Sequence, residues 1–242
     1  MKKYSAVLFD LFDTLVMFEP SLLPKVMLNG ETWNSTAQHV FTRMRSSLGE
    51  MGFKDFYEPF VESHRELLEL RKKDLREYPN RKRFEIFMEK MGLKEDDGML
   101  EKFVFSHMEG LCGAMVYPEH HTEILLYLKE KGYRLSVVSN FDHAPTAREL
   151  LRKFGIADFF EHIVISEEVG WRKPHRKIFE FALARFDESP SDVIFIGDDP
   201  EADIMGSSNC GIDSVWVKRR EQFAQAKPKF IIKDLEDLKK II

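Results

Sequence analysis

Four short segments carry side chains able to do chemistry together: Phe9-Asp10-Leu11-Phe12-Asp13-Thr14-Leu15-Val16, Ser139-Asn140, Lys173-Pro174 behind a Gly170-Trp171-Arg172 turn, and Gly197-Asp198-Asp199-Pro200-Glu201-Ala202-Asp203. A carboxylate such as Asp10 can attack an electrophilic centre and hold the transferred group as a covalent aspartyl intermediate. Its charge would repel a phosphoryl group, and a divalent cation shared by the two would offset that repulsion. Asp198, with Asp203 or Asp199, offers hard oxygen ligands. Magnesium, which takes few carboxylates and keeps its waters, suits such a site. Ser139 and the backbone N–H after it can bond the oxygens of the transferred group. Lys173 would set a compact positive charge against the developing negative one.

Each segment also has a plain reading. An Asp that closes a buried strand is often a helix cap or turn former. Ser-Asn is an ordinary loop pair, and Lys-Pro is commonly a solvated lysine before a helix with proline in its first turn. Asp198, Asp199 and Asp203 could merely favour a helix N-terminus. What lifts the set above these readings is where the elements put it. Tyr4–Phe9, Tyr133–Ser139, His162–Ser166, Val193–Gly197 and Ser214–Val217 read as strands, with Phe230–Ile232 as a short edge strand. Between them Glu119–Lys131, Ala144–Phe154, His175–Phe186 and Pro200–Cys210 read as helices, punctuated by Gly132, Gly155 and Gly211. Alternation of this kind predicts an α/β fold with a parallel sheet covered on both faces, whose ligands sit beyond the C-terminal ends of the strands. All four segments fall at that edge.

Between residues 18 and 116 the texture changes to Met, Phe, Leu, Glu, Lys and Arg with almost no β-branched runs. Asn34–Leu48, Lys54–Arg76, Arg81–Met91 and Glu95–Leu111 read as amphipathic helices, the third capped by Asn80. The expected layout is a core of residues 1–17 and 117–242 interrupted by an all-helical insert, 18–116. The insert leaves and returns at the ligand edge, where it is placed to act as a lid.

Composition narrows the possibilities. With 43% apolar and 32% charged residues the chain reads as a soluble globular protein, and a net charge of −5 is too mild to imply a nucleic-acid or membrane partner. No segment approaches the roughly 20 apolar residues of a membrane span. The opening Met1-Lys2-Lys3 and its short apolar run meet Asp10 too soon to form a signal-peptide core. Cys112 and Cys210 make no disulfide framework, so a reduced, cytoplasmic setting is expected, with both thiols as buried filler.

In order and spacing these segments resemble the haloacid dehalogenase superfamily over nearly the whole chain: FDLFDTLV is similar to its first motif, VVSN to its second, Lys173-Pro174 to its third and GDDPEAD to its fourth. The resemblance implies a Rossmann-like core with an α-helical cap. It implies Asp10 as nucleophile, Ser139 and Lys173 as catalytic partners, and Mg2+ held by Asp10, the backbone carbonyl of Phe12 and Asp198. Asp203 is expected to support the metal shell or Lys173. Thr14, Asn140, Trp171 and Arg172 are the candidate contacts for a small, phosphorylated substrate.

One departure matters. Phosphatases of this superfamily usually carry a second Asp two residues after the nucleophile, and here that position is Phe12, which can neither give nor take a proton. Asp13 stands where similar sequences usually have glycine. An aromatic at position 12 resembles the dehalogenase branch, where halide leaves carbon without protonation; the Gly-Asp start of the fourth motif resembles the metal-dependent branch. Three readings follow: a magnesium-dependent phosphohydrolase, ranked first on the fourth motif; a metal-independent 2-haloacid dehalogenase-like hydrolase; and a catalytically weak binding or regulatory protein. Elsewhere, the seven basic residues between Arg71 and Arg83 read as a solvated helix face and turn, with Asp74 and Glu77 among them. Trp33 reads as core of the insert, His143 and His175 as helix-start residues, and His120-His121 as a surface pair rather than a metal site.

Overall fold

The computed structural model describes residues 4–28, 30–94, 96–223 and 225–242. Compact packing divides the chain into two units: Met1–Met17, Leu75–Glu77 and Tyr117–Ile242 form one, Phe18–Asp74 and Tyr78–Val116 the other.

The first unit is built on a six-stranded sheet: β1 (Ala6–Phe9), β2 (Arg134–Ser139), β3 (His162–Ile165), β4 (Val193–Gly197), β5 (Asp213–Val217) and β6 (Phe230–Ile232). The spatial order is β6-β5-β4-β1-β2-β3, with every neighbouring pair parallel. β1 (AVLF) and β4 (VIFIG) are buried at every position, as unbroken apolar runs must be when helices cover both faces. The chain runs outward from β1 through β2 to β3, then crosses back to β4 on the other flank of β1. That reversal opens a crevice at the C-terminal ends of β1 and β4. Register does the rest: Phe9 pairs with Val137 on one side and Ile196 on the other.

The intervening helices run His120–Glu130, Ala144–Lys153 and Arg176–Phe186. Gly132, Gly155 and Gly211 have φ of 75°, 68° and 75°, the left-handed conformation the helix endings called for. After β4 the expected α-helix is instead a π-turn segment, Pro200–Met205, followed by the short turn Gly206–Ser208. The N–H groups of Asp203 and Ile204 both reach the Asp199 carbonyl, at 3.0 and 3.3 Å, which widens the turn.

The second unit is mainly helical: Ala37–Arg43, Phe53–Asp74, Asn80–Lys90 and Asp97–Cys112. Phe56, Phe60, Phe84, Phe87 and Phe103 form its buried centre, with ring pairs such as Phe84–Phe103 stacked at 5.7 Å. It departs from the all-helical expectation by an antiparallel pair, Lys25–Leu28 against Glu31–Asn34. Asn34 therefore ends a strand rather than opening a helix; Val26 stands opposite Trp33 across the pair, and Gly30 turns the chain at φ 81°. Trp33 donates its indole N–H to Tyr57. Pro79, not Asn80, occupies the cap position of the helix it precedes. Glu95, the expected start of the last helix, lies outside the described residues; Asp96 caps that helix, accepting from the Met99 N–H at 2.6 Å.

The basic stretch is not a uniformly solvated face. Arg71 is buried and donates to the Tyr78 carbonyl at 2.9 Å, and Arg83 is buried over the Phe60 ring and bonded to His107 at 3.0 Å. Both cysteines are half-buried rather than fully buried. Among the described residues no helix is long and apolar enough to cross a membrane.

Candidate active site

Asp10 follows β1 directly, and its N–H bonds the Ile196 carbonyl of β4 at 2.8 Å, so the first strand hands its carboxylate to the crevice beside the fourth motif. Asp198 stands one residue past β4. Asp10, Asp198 and Asp203 each bring an oxygen within 4.8 Å of the others. Lys173 threads between two of them: its Nζ lies 2.7 Å from Asp10 Oδ1 and 2.7 Å from Asp203 Oδ1, and its side chain is only 1% exposed. Thr14 Oγ1 reaches Asp198 Oδ1 at 3.4 Å.

Three carboxylates against one ammonium leave the cluster electrostatically short of positive charge. Burial, then Asp10 and Asp203, push Asp198 up to about 8. Burial also raises Asp203 and Asp10, the Lys173 ammonium pulling the other way on each. Burial pulls Lys173 down, but Asp10 and Asp203 outweigh it and hold the ammonium above its ordinary range. A divalent cation would relieve this imbalance, and the all-oxygen donor set fits a hard ion. Asp203 has little left to offer: besides Lys173 it accepts the Asp199 N–H at 3.0 Å, while Asp199 itself caps the turn after β4 by accepting from Glu201 and Ala202. Asp10 and Asp198 are thus the side chains available to an ion, and Asp203 fixes Lys173. Gly197 makes this possible, because a Cβ there would sit 2.2 Å from Asp203 Oδ2.

Ser139 ends β2 with its hydroxyl buried and, among the described residues, without a hydrogen-bond partner, a donor awaiting an acceptor. Phe12 packs its ring against Phe141 at 4.7 Å, so the position of the usual acid is filled by an aromatic pair. Asp13 holds φ 58°, which Asp tolerates better than most residues. Its carbonyl accepts from Arg219, whose second nitrogen lies 3.4 Å from the Thr14 carbonyl.

Three further candidates make contacts within the protein. Asn140 grips the backbone of Lys173 at both ends, its Nδ2 donating to the Lys173 carbonyl at 2.9 Å and its Oδ1 accepting the Lys173 N–H at 2.7 Å. Trp171 stacks on His175 at 3.9 Å and carries the Arg76 guanidinium over its ring, 3.9 Å from the centroid. Arg172 donates to both oxygens of Glu77, at 3.2 and 3.0 Å. Glu77 is the residue the sequence reading missed. Its surroundings in the sequence predict a solvated turn, yet its side chain is fully buried and also accepts from Ser166 Oγ at 2.6 Å. Ser166 in turn accepts the Phe141 N–H at 2.9 Å. Glu77 therefore ties the loop bearing Lys173 to the loop after Ser139. Nothing in its local sequence marks this; only Ser166, Arg172 and Glu77 together do.

His143 and His175 both stand at helix starts, bonded to Thr146 Oγ1 at 2.7 Å and to the Lys177 N–H at 3.2 Å. His121 is not a surface residue: it is 1% exposed and bonds the Leu15 carbonyl through Nδ1 at 2.9 Å.

Residues 52–217 match the model of the haloacid dehalogenase-like hydrolases; Asp10 lies ahead of the matched stretch. Glyceraldehyde 3-phosphate phosphatases of Pyrococcus abyssi and Pyrococcus furiosus are similar to this chain. The first is 38% identical over 96 residues, 40% of either chain, and the second 27% identical over 225 residues, 90% of this chain and 82% of its own. A pyrimidine 5'-nucleotidase of Escherichia coli is 30% identical over 164 residues, 66% of this chain and 69% of its own. Among solved structures, a HAD phosphatase from Thermococcus onnurineus superposes with a TM-score of 0.66 at 22% identity, covering 98% of this chain and 97% of its own, a likeness of fold. With the matched stretch spanning most of its length, the chain belongs to the haloacid dehalogenase-like hydrolase family.

Proposed function

We propose that the chain is a magnesium-dependent phosphohydrolase acting on a small phosphorylated metabolite, with Asp10 as covalent nucleophile. The observation that carries this reading is the convergence of Asp10, Asp198 and Asp203 on one point with Lys173 as their only close cationic partner among the described residues. Asp10, Asp198 and the Phe12 carbonyl are the groups assigned to the cation. When bound, Mg2+ supplies charge that lets a carboxylate approach a phosphoryl group.

In this reading an Asp10 oxygen attacks phosphorus, a P–O bond to the acid forms, and the P–O bond to the leaving group breaks with its electron pair. Lys173 and the unpaired Ser139 hydroxyl bond the equatorial oxygens as charge builds on them. Water then cleaves the aspartyl phosphate and restores Asp10. Phe12 cannot protonate the departing oxygen, so acyl and aryl phosphates should turn over faster than alkyl phosphates. The relatives carry different substrates in their names, which leaves the metabolite itself to assay. Phosphate release from acetyl phosphate, p-nitrophenyl phosphate and a sugar phosphate, with Mg2+ and with chelator, tests the reading. Loss of release in Asp10→Asn and in chelator supports it; equal rates on all three substrates sink the leaving-group part, and chelator-insensitive release sinks the metal.

The Phe12–Phe141 pair favours a second reading, a metal-independent dehalogenase, since halide leaves unprotonated. Against it, Asp198 would repel an anionic haloacid with no cation to compensate. Halide release from a 2-haloacid in chelator would establish it.

A further inference from the structure

A second group of ligand-type side chains lies apart from the acidic triad. His120, His121 and Asp234 each bring one ligand atom within 4.8 Å of the others. We propose that these three side chains form a second cation site, suited to zinc and similar borderline ions rather than to magnesium. It is independent of the phosphohydrolase reading.

The donor set decides the ion. Two imidazoles and one carboxylate match zinc or cobalt, whereas magnesium prefers oxygen throughout. Two of the three ligands are also oriented from behind, as metal ligands are. His121 Nδ1 lies 2.9 Å from the Leu15 carbonyl. A carbonyl only accepts, so Nδ1 carries the proton and the lone pair of the neutral ring stays on Nε2. Asp234 uses Oδ1 to accept the Glu236 N–H at 2.9 Å, where it caps the short helix Leu235–Lys240. Its Oδ2 is left facing His120 Nε2 at 3.2 Å. Ligands around a tetrahedral ion with bonds of about 2.0–2.1 Å stand about 3.3 Å apart, so that edge of the site is already at metal-binding spacing. His121 is buried and fixed, while the His120 side chain is 43% exposed and already turned toward Asp234. Three protein ligands leave a fourth position for water. An ion there would fasten the start of helix His120–Glu130 to the C-terminal helix and, through Leu15, to the loop that follows Asp10.

The test is equilibrium dialysis of the full chain against zinc chloride in a large excess of magnesium chloride, with cobalt(II) as a spectroscopic stand-in. Wild type and Asp198→Asn should each retain one zinc equivalent and give the strong visible absorption of tetrahedral cobalt. His120→Ala and Asp234→Asn should weaken zinc binding at least tenfold and lose that absorption. Asparagine keeps an oxygen for the Glu236 N–H, so Asp234→Asn should melt like wild type without zinc, and zinc should raise Tm in wild type alone of these two. The proposal is overturned if zinc stoichiometry is untouched by both substitutions, if it disappears in Asp198→Asn, or if no zinc is retained against magnesium.

Discussion

Glu77 is where the structure makes its sharpest demand. Its carboxylate has no exposure, receives two hydrogen bonds from Arg172 at 3.0 and 3.2 Å and one from Ser166 at 2.6 Å, and Arg172 keeps 24% of its side chain in solvent. Truncating Glu77→Ala strands a largely buried guanidinium and removes an acceptor from Ser166. Breaking a buried pair costs about 3–5 kcal/mol, and the residual exposure of Arg172 places this one near the lower end, about 3 kcal/mol. In a chain of this size that lowers Tm by about 6–12 °C. Glu77→Gln keeps an acceptor for Ser166 and should lose roughly half as much. The catalytic effect should exceed the stability effect at assay temperature. Arg172 adjoins Lys173, whose Nζ must stay 2.7 Å from Asp10, and misplacement by about 1 Å costs on the order of 10²-fold in rate. Thermal melts and kcat on p-nitrophenyl phosphate, measured well below both melting temperatures, check this. A Glu77→Ala protein within 0.5 kcal/mol of wild type, on the order of an exposed surface change, would refute the buried-pair reasoning. A destabilised protein with unchanged kcat would refute the positioning reasoning.

Gly197→Ala should cost about 1–3 kcal/mol through overpacking and reduce turnover far more, because the new Cβ collides with the Asp203 carboxylate that holds Lys173; chemical denaturation and kcat separate the two effects. Phe12→Asp should raise the rate on a sugar phosphate by up to about 10²–10⁴-fold relative to acetyl phosphate, the ordinary gain from a general acid; an unchanged ratio would show that the Phe12–Phe141 pair does not stand in the proton's path. Without a cation, stability should fall as pH rises. Asp198 has a folded pKa of about 8 against 3.8 ordinarily, so the folded state binds the extra proton, and the penalty is absent below about pH 4 and complete above about pH 8. Magnesium selects the ionised carboxylate, so the Tm gain on adding it should grow between pH 5.5 and 8.5; a gain that shrinks would overturn the assignment of Asp198.

The core was readable because its signals are local. Uninterrupted apolar runs as short as VIFIG, closed by glycine, read as strands buried on both faces, and Gly132, Gly155 and Gly211 announce left-handed helix ends through their own backbone freedom. The hairpin in the insert was not readable, because Lys25–Leu28 and Glu31–Asn34 are each too short for a period and acquire strand character only by pairing with one another. The π-turn after β4 was likewise hidden, since it depends on how Asp199 shares its carbonyl rather than on residue pattern.

Sequence alone determined which residue types stand at which strand ends: parallel strands separated by helices must deliver Asp10, Ser139 and Asp198 to one edge, because side-chain burial forces the order of the layers. Only the tertiary structure decided how those groups divide their work. Register across β1 and β4 brought Asp10 and Asp198 together, and Lys173 drew Asp203 into an ion pair. Asn140 gripped the backbone of Lys173, Arg172 turned to the buried Glu77, and Glu77, 95 residues before that partner, closed the frame. Such contacts join residues far apart in the chain, and their strength comes from burial that exists only once the fold has formed.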